Sequence, residues 1–129
     1  KEMKDLDEKY LVINRLQKEG IKMLLSPDAS SKYMMTGCNM ITEMDLLKKA
    51  NLSNFDILKM ATTNFAEFYN ENYGLLKVGK DADFIVLENN PLENLETLKK
   101  IIGVYFNSNY LPSEKIIELK NNLLSASNN

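Results

Sequence analysis

A chain of 129 residues, 44% hydrophobic and 26% charged, is long enough to bury a core and too ordinary in composition for the collagenous, disordered or disulfide-scaffold classes. A net charge of -2 with no stripe of Lys or Arg beside aromatic residues argues against a nucleic-acid partner. Histidine is absent, and because His is the commonest metal ligand and the usual general base near neutral pH, the chain by itself is not expected to be a complete zinc hydrolase.

Residues 3–19 space Leu6, Tyr10, Ile13 and Leu16 at helical intervals among charges, which predicts an amphipathic helix closed by Gly20. Ile21 to Leu25, apolar except for Lys22, has the length and character of a buried parallel strand, and Ser26-Pro27 ends it because proline cannot continue a ladder. Asp28 then falls on the loop just beyond the C-terminal end of that strand. Residues 29–39 are small and polar, with Gly37 and Cys38, and read as a functional loop or lid. A short helix is expected over 43–50 with Met44, Leu46 and Leu47 inward. Ser53 is the expected N-cap of the next helix, with Asp56 completing a capping box, and Ile57, Leu58, Ala61, Phe65 and Phe68 form its inner stripe to residue 69 or 70.

The stretch Tyr73 to Pro91, YGLLKVGKDADFIVLENNP, joins two glycine turns to a strand with hard edges. Gly74 is placed to close the preceding helix, Leu75 to Val78 reads as a brief strand, and Phe84 to Leu87 is a continuous apolar run bounded by polar stops. Residues 94–100 predict a short helix with Leu95 and Leu98 inward. Residues 101–107 predict a strand with a bulge at Gly103. Ser113 is a candidate cap for a final helix over 114–124, with Ile117, Leu119 or Lys120, and Leu124 on its inner face, before a polar tail that should fray. No apolar run approaches the ~20 residues a membrane span requires, so no membrane partner is expected. The opening KEMKDLDEKY is neither an initiator Met nor a signal peptide. The expectation is a cytoplasmic, soluble piece of something longer.

Taken singly, the chemistry-bearing residues have bland readings. Asp28 suits a strand-end turn. Asp81 and Asp83 flank Ala82 where bonding to nearby backbone amides is the common use. Met34, Met35, Met40, Met44 and Met60 suit gap filling or a pocket lining. Cys38 lacks a companion ligand and suits an idle or buried thiol.

In order along the chain, however, GIKMLLSPDAS is similar to the pattern Gv.i.lGTDa, TEMDLLKKANLSNFDILKMATTNFAEFYN to El.llv.aGls..eaL.aaT.n.A..lg, YGLLKVGKDADFIVLENNPLENL to lGti..Gk.ADlvvld.nPl.di, and VYFNSNYL to a return strand. These stretches resemble the amidohydrolase superfamily, and most of all its imidazolonepropionase and Xaa-Pro dipeptidase-like branch. The resemblance runs from Gly20 to about Leu111.

It implies an α/β chain that is the C-terminal fragment of a (β/α)8 amidohydrolase barrel together with strands of a small composite β subdomain. The last βα portion of the barrel would occupy 1–70, the subdomain strands and a short helix 71–112, and a C-terminal helix and tail 113–129. Barrel active sites lie at the C-terminal ends of strands, where Asp28 falls. The family's last-strand Asp touches the metal, takes a proton from the activated water and passes it to the leaving nitrogen, which implies a catalytic and metal-ligating role for Asp28. Zinc or another divalent metal is implied for the whole protein and none for this chain alone, with the remaining ligands upstream. The implied activity is hydrolysis of a C–N bond in a small cyclic amide or dipeptide-like substrate. The expected partners are that small molecule and either the rest of the barrel or a second copy. Ser26-Pro27 stands where the family has Gly-Thr, and Ile41 where a His often precedes the matching Glu43. Those departures motivate the alternative, an interaction or scaffold module that keeps the fold without the chemistry.

Overall fold

Gly20 ends the first helix because the chain there must turn left-handed. In the computed structural model, which describes residues 2–28 and 39–126, α1 (Glu2–Lys18) closes on Gly20 at φ 73°. The Gly20 amide donates to the Gln17 carbonyl and the Ile21 amide to that of Leu16, the paired bonds of a Schellman cap. Asn51 (φ 61°) closes α2 (Asn39–Lys49) by the same pattern, through Asn51 to Lys48 and Leu52 to Leu47. Asparagine tolerates this region better than other side-chain-bearing residues.

The chain divides into two compact units, Lys1–Leu75 and Leu76–Asn129. In the first, α1 and α2 are followed by α3 (Asn54–Ala61) and α4 (Thr63–Tyr69). Ser53 caps α3 as its sequence indicates. Its hydroxyl accepts the Asp56 amide at 3.1 Å and donates to the Asp56 carboxylate at 2.6 Å. The core collects Leu25, Met44, Leu47, Ala50, Leu52, Ile57, Met60 and Ala66, with Ile57 fully enclosed. Each such large side chain contributes about 1.5–3 kcal/mol of transfer free energy.

The sequence predicts one helix through 53–70, and the structure breaks it at Thr62. The Thr62 backbone sits at φ -132°, ψ -92°, and its hydroxyl donates to the Leu58 carbonyl at 2.7 Å, a side-chain bond that competes with the helical ladder. The break resets the inward face. Ala66 is buried while Phe68, expected inside, is 69% exposed. Leu46 and the outer members of the α1 stripe, Leu6 and Leu16, are likewise exposed rather than inward.

Gly74 is needed for a reason other than the one expected. Asn70 (φ 55°), not Gly74, closes α4, with the Glu71 amide on the Ala66 carbonyl. Gly74 (φ 86°) instead lets the returning chain lie on the helix break. A Cβ there would stand 2.8 Å from the Thr62 carbonyl oxygen and 3.0 Å from Ala66 Cβ.

The second unit is a 3-stranded antiparallel sheet of order β1-β2-β3, with β1 (Phe84–Leu87), β2 (Ile101–Phe106) and β3 (Asn109–Pro112), and a final helix α5 (Ser113–Ala126). Val86 pairs with Gly103 and Leu87 with Ile101, so the expected bulge falls on Ile102, beside Gly103. The Phe84 and Tyr105 rings face each other across the sheet with centroids 5.3 Å apart. The hairpin into β3 was not expected. Its signal is Asn107-Ser108, both left-handed (φ 48° and 62°), as a two-residue primed turn demands. Leu75 to Val78 does not form the expected strand. No described segment pairs with it, and Val78 is fully exposed. On α5, Ile116 turns inward and Ile117 and Leu119 outward, and the 3-10 turn Leu95–Lys99 buries Leu95 and Thr97.

Gly74→Ala should therefore destabilise the first unit more than Gly20→Ala. A Cβ at Gly20 meets nothing within 4 Å, so its cost is the left-handed backbone alone, about 1–2 kcal/mol. At Gly74 the opposing atom is backbone and cannot swing away. Urea unfolding of both variants checks this, and equal losses would contradict the close-approach account.

Candidate functional site

The residues around Asp28 are arranged by helices, because segment 21–28 has no strand partner among the described residues. Its start is fixed by the α1 cap at Ile21. The Asn64 side-chain amide donates to the Met23 carbonyl at 3.0 Å, and the Leu25 amide donates to the Met60 carbonyl at 3.1 Å. Both bonds depend on the break at Thr62. In an uninterrupted helix the Met60 carbonyl would serve the amide of residue 64, and here it serves Leu25. Lys22 pairs with Glu67, whose carboxyl is held below its ordinary value by that hydrogen bond and charge. Both side chains are largely exposed, so the pair adds little stability.

Leu25 is buried at 3%, and from there the chain leaves the core. Ser26 and Asp28 are exposed and Pro27 half-buried. Asp28 thus lies where its sequence position indicates, as an exposed residue at the far end of an extended segment.

Glu43 of α2 meets the same exit. Its half-buried carboxylate accepts a hydrogen bond from the Ser26 backbone amide, and burial raises its pKa above the ordinary value while that bond pulls the other way. Its Oε2 is buried and has no hydrogen-bond partner among the described residues. Sequence reasoning matched Glu43 to a family position and gave it no role. It gave Asn64 none either, although an Asn inside a helical run, after Thr62-Thr63, is a poor helix former and so a sign of other employment.

Asp83 Oδ1 accepts the Asn107 amide at 3.0 Å, which ties the start of β1 to the hairpin. Met44 and Met60 are core residues and Met40 is 39% exposed. Cys38, Met34 and Met35 lie outside the described residues. A cleft of about 280 Å³ opens between Tyr10, Asn14 and Asn51, and one of about 170 Å³ at Gly20, Lys22 and Asn64. Neither is lined by Asp28 or Glu43.

A divalent cation takes carboxylate oxygens, and Asp28 is an exposed carboxylate-bearing residue. Among the described residues no three His, Cys, Asp or Glu side chains gather. Asp28 fits as one ligand of a metal centre and not as a centre.

The burial of Glu43 makes a pH prediction. A folded carboxyl that keeps its proton to higher pH than the unfolded one adds stability that is complete below the unfolded pKa and lost as pH rises through the folded pKa. Glu43→Gln cannot ionise. Its melting temperature relative to the parent should therefore be more favourable at pH 7 than at pH 4, by scanning calorimetry, and a pH-independent or reversed difference would contradict the desolvation account.

Residues 4–111 match the model of the Amidohydrolase family. An adenine deaminase from Sulfurovum sp. (strain NBC37-1) is 44% identical over 48 residues, 37% of this chain and 9% of that protein. A crystal structure of an amidohydrolase superposes with a TM-score of 0.70 at 22% identity, covering 80% of this chain and 25% of that one. The chain thus spans a small part of the length of each. No helix among the described residues is long and apolar enough to cross a membrane. With the family pattern running through the helices, the extended segment and the small sheet, the chain belongs to the amidohydrolase family.

Proposed function

We propose that the chain is the C-terminal part of a metal-dependent amidohydrolase that hydrolyses a C–N bond in a small cyclic amide or dipeptide-like substrate, and that it is inactive without the rest of that protein. The observation that carries this reading is the family match over residues 4–111, in which the helix-held segment 21–28 ends on the exposed residue Asp28. The relative named as an adenine deaminase supports hydrolytic C–N cleavage and adds a purine amine to the substrates worth trying.

When bound, a divalent metal supplies Lewis acidity and lowers the pKa of a water from 15.7 to about 7. Asp28 takes the proton of the attacking water on a carboxylate oxygen and delivers it to the leaving nitrogen as the C–N bond breaks. Water then needs no strong external base, and the amine leaves neutral. With no histidine in the chain, the remaining metal ligands belong to other parts of the protein in this reading. Zinc or another divalent ion suits such a site. The last strand of the barrel would be segment 21–28, whose ladder partners are the neighbouring strands.

The test is made in the full-length protein, assayed with adenine, dihydrouracil and an Xaa-Pro dipeptide. Asp28→Asn keeps the shape and removes the basic oxygen, so turnover should fall about a hundredfold or more, with the melting temperature nearly unchanged. Unchanged turnover with metal in place would remove Asp28 from the chemistry. A parent that hydrolyses none of the three and binds no metal would leave the scaffold reading.

A further inference from the structure

We infer that Asn64 is a positioning residue for Asp28, acting through the Met23 carbonyl on the segment that carries it. The inference rests on the catalytic role proposed for Asp28 and goes beyond it by assigning work to a side chain on α4.

Segment 21–28 has no strand partner among the described residues, and two hydrogen bonds tie its middle to the helices. The Asn64 side-chain amide donates to the Met23 carbonyl at 3.0 Å, and the Leu25 amide donates to the Met60 carbonyl at 3.1 Å. One tie fixes a point. Two ties placed two residues apart also fix the direction in which the chain leaves the core. At an extended rise of about 3.3 Å per residue, the ties stand about 7 Å apart and Asp28 lies about 10 Å beyond Leu25. Freed at Met23, the segment pivots about the buried Leu25. A shift of about 1 Å at Met23 then becomes about 1.5 Å at Asp28 by the same spacing. Pro27, with φ held at about -65°, removes one of the soft torsions that would otherwise absorb the movement.

Ladder bonds to neighbouring strands do not duplicate this tie. They run within a sheet, whereas the Asn64 bond sets the segment against the helices. A carbonyl has two lone pairs, so Met23 keeps one for a ladder partner.

Local structure gives no reason for an asparagine at this position. Asn64 is the second residue of α4, and the cap position, where asparagine is favoured, is held by Thr62. Inside a helix its amide competes with the backbone. Here the half-buried side chain reaches a carbonyl of another element instead. The neighbouring pair of Lys22 and Glu67 joins the same two elements but is largely exposed, and a lysine on a flexible four-carbon stem holds position loosely. Asparagine, with two side-chain torsions, is the stiffer link.

The experiment compares Asn64→Leu, Asn64→Gln, Ser53→Ala and Asp28→Asn in the full-length protein, with turnover of adenine, dihydrouracil and an Xaa-Pro dipeptide and with melting temperatures. Asn64→Leu removes the donor. It should lower kcat about a hundredfold, the scale of a misplacement of about 1 Å, while KM stays within about threefold. Asn64→Gln keeps the donor on a longer side chain and should recover kcat to within about tenfold of the parent. Ser53→Ala removes the α3 cap, away from segment 21–28. It should lower the melting temperature by about 2–8 °C and leave kcat within about twofold, which separates lost stability from lost placement. Should Asn64→Leu not fold, Asn64→Asp, which has the same shape and no donor once ionised, is expected to show the same loss.

The inference is overturned if Asn64→Leu, or Asn64→Asp in its place, keeps full turnover. It is also overturned if Asn64→Gln is no better than Asn64→Leu, because the donor would then not be what matters, or if Ser53→Ala loses as much turnover, because destabilisation alone would then suffice. If Asp28→Asn is fully active, or the parent acts on none of the substrates, the proposed function fails and the positioning role falls with it. If Asp28→Asn is impaired and Asn64→Leu is not, only the positioning role fails.

Discussion

An extended segment with no neighbouring strand among the described residues must have its backbone groups satisfied some other way, and the first unit is built around that constraint. A helix break at Thr62 meets much of it. The break redirects the Met60 carbonyl to the Leu25 amide and presents Asn64 to the Met23 carbonyl. It also leaves room for the Gly74 backbone against Thr62. One local departure from helical geometry thus fixes the segment, resets the face that buries Ala66 and lets the chain turn back over α3 and α4. The site follows from it, since the segment so held is the one that ends on Asp28.

The second unit is economical in a different way. Its sheet is small, with few fully buried side chains, and relies on specific links. Asp83 holds the hairpin amide of Asn107, and Phe84 faces Tyr105. The Thr97 hydroxyl pairs with the backbone of Asn89, accepting its amide at 3.2 Å. The ADF part of the glycine-turn stretch is therefore structural chemistry. Its Asp is a fastener for the sheet, whereas Asp28, by itself an equally plain residue, sits at the open end of a held segment.

Patterns of local origin were legible in the sequence. Gly20 announced the end of α1, Ser53 and Asp56 announced the start of α3, and the run Phe84 to Leu87 announced β1. What escaped depended on competition between local preferences or on distant partners. Thr62 is compatible with a helix until its hydroxyl competes with the ladder, and the phase of every residue after it, Phe68 included, follows that outcome. Leu75 to Val78 has strand composition without a described partner to pair with. At the site, the place of Asp28 was legible from strand, proline and order. The half-burial of Glu43 was not, because it depends on the tertiary packing around α2 and not on local pattern.

The central claim is that Asp28 faces a metal-centred active site in the complete protein. A crystal structure of that protein grown with zinc tests it most directly. The account predicts an Asp28 carboxylate oxygen about 2.0–2.2 Å from the ion, the usual distance for such a ligand, with segment 21–28 paired between barrel strands. A zinc ion fully coordinated by other residues, with Asp28 turned into its own loop and away from the cavity, would contradict it.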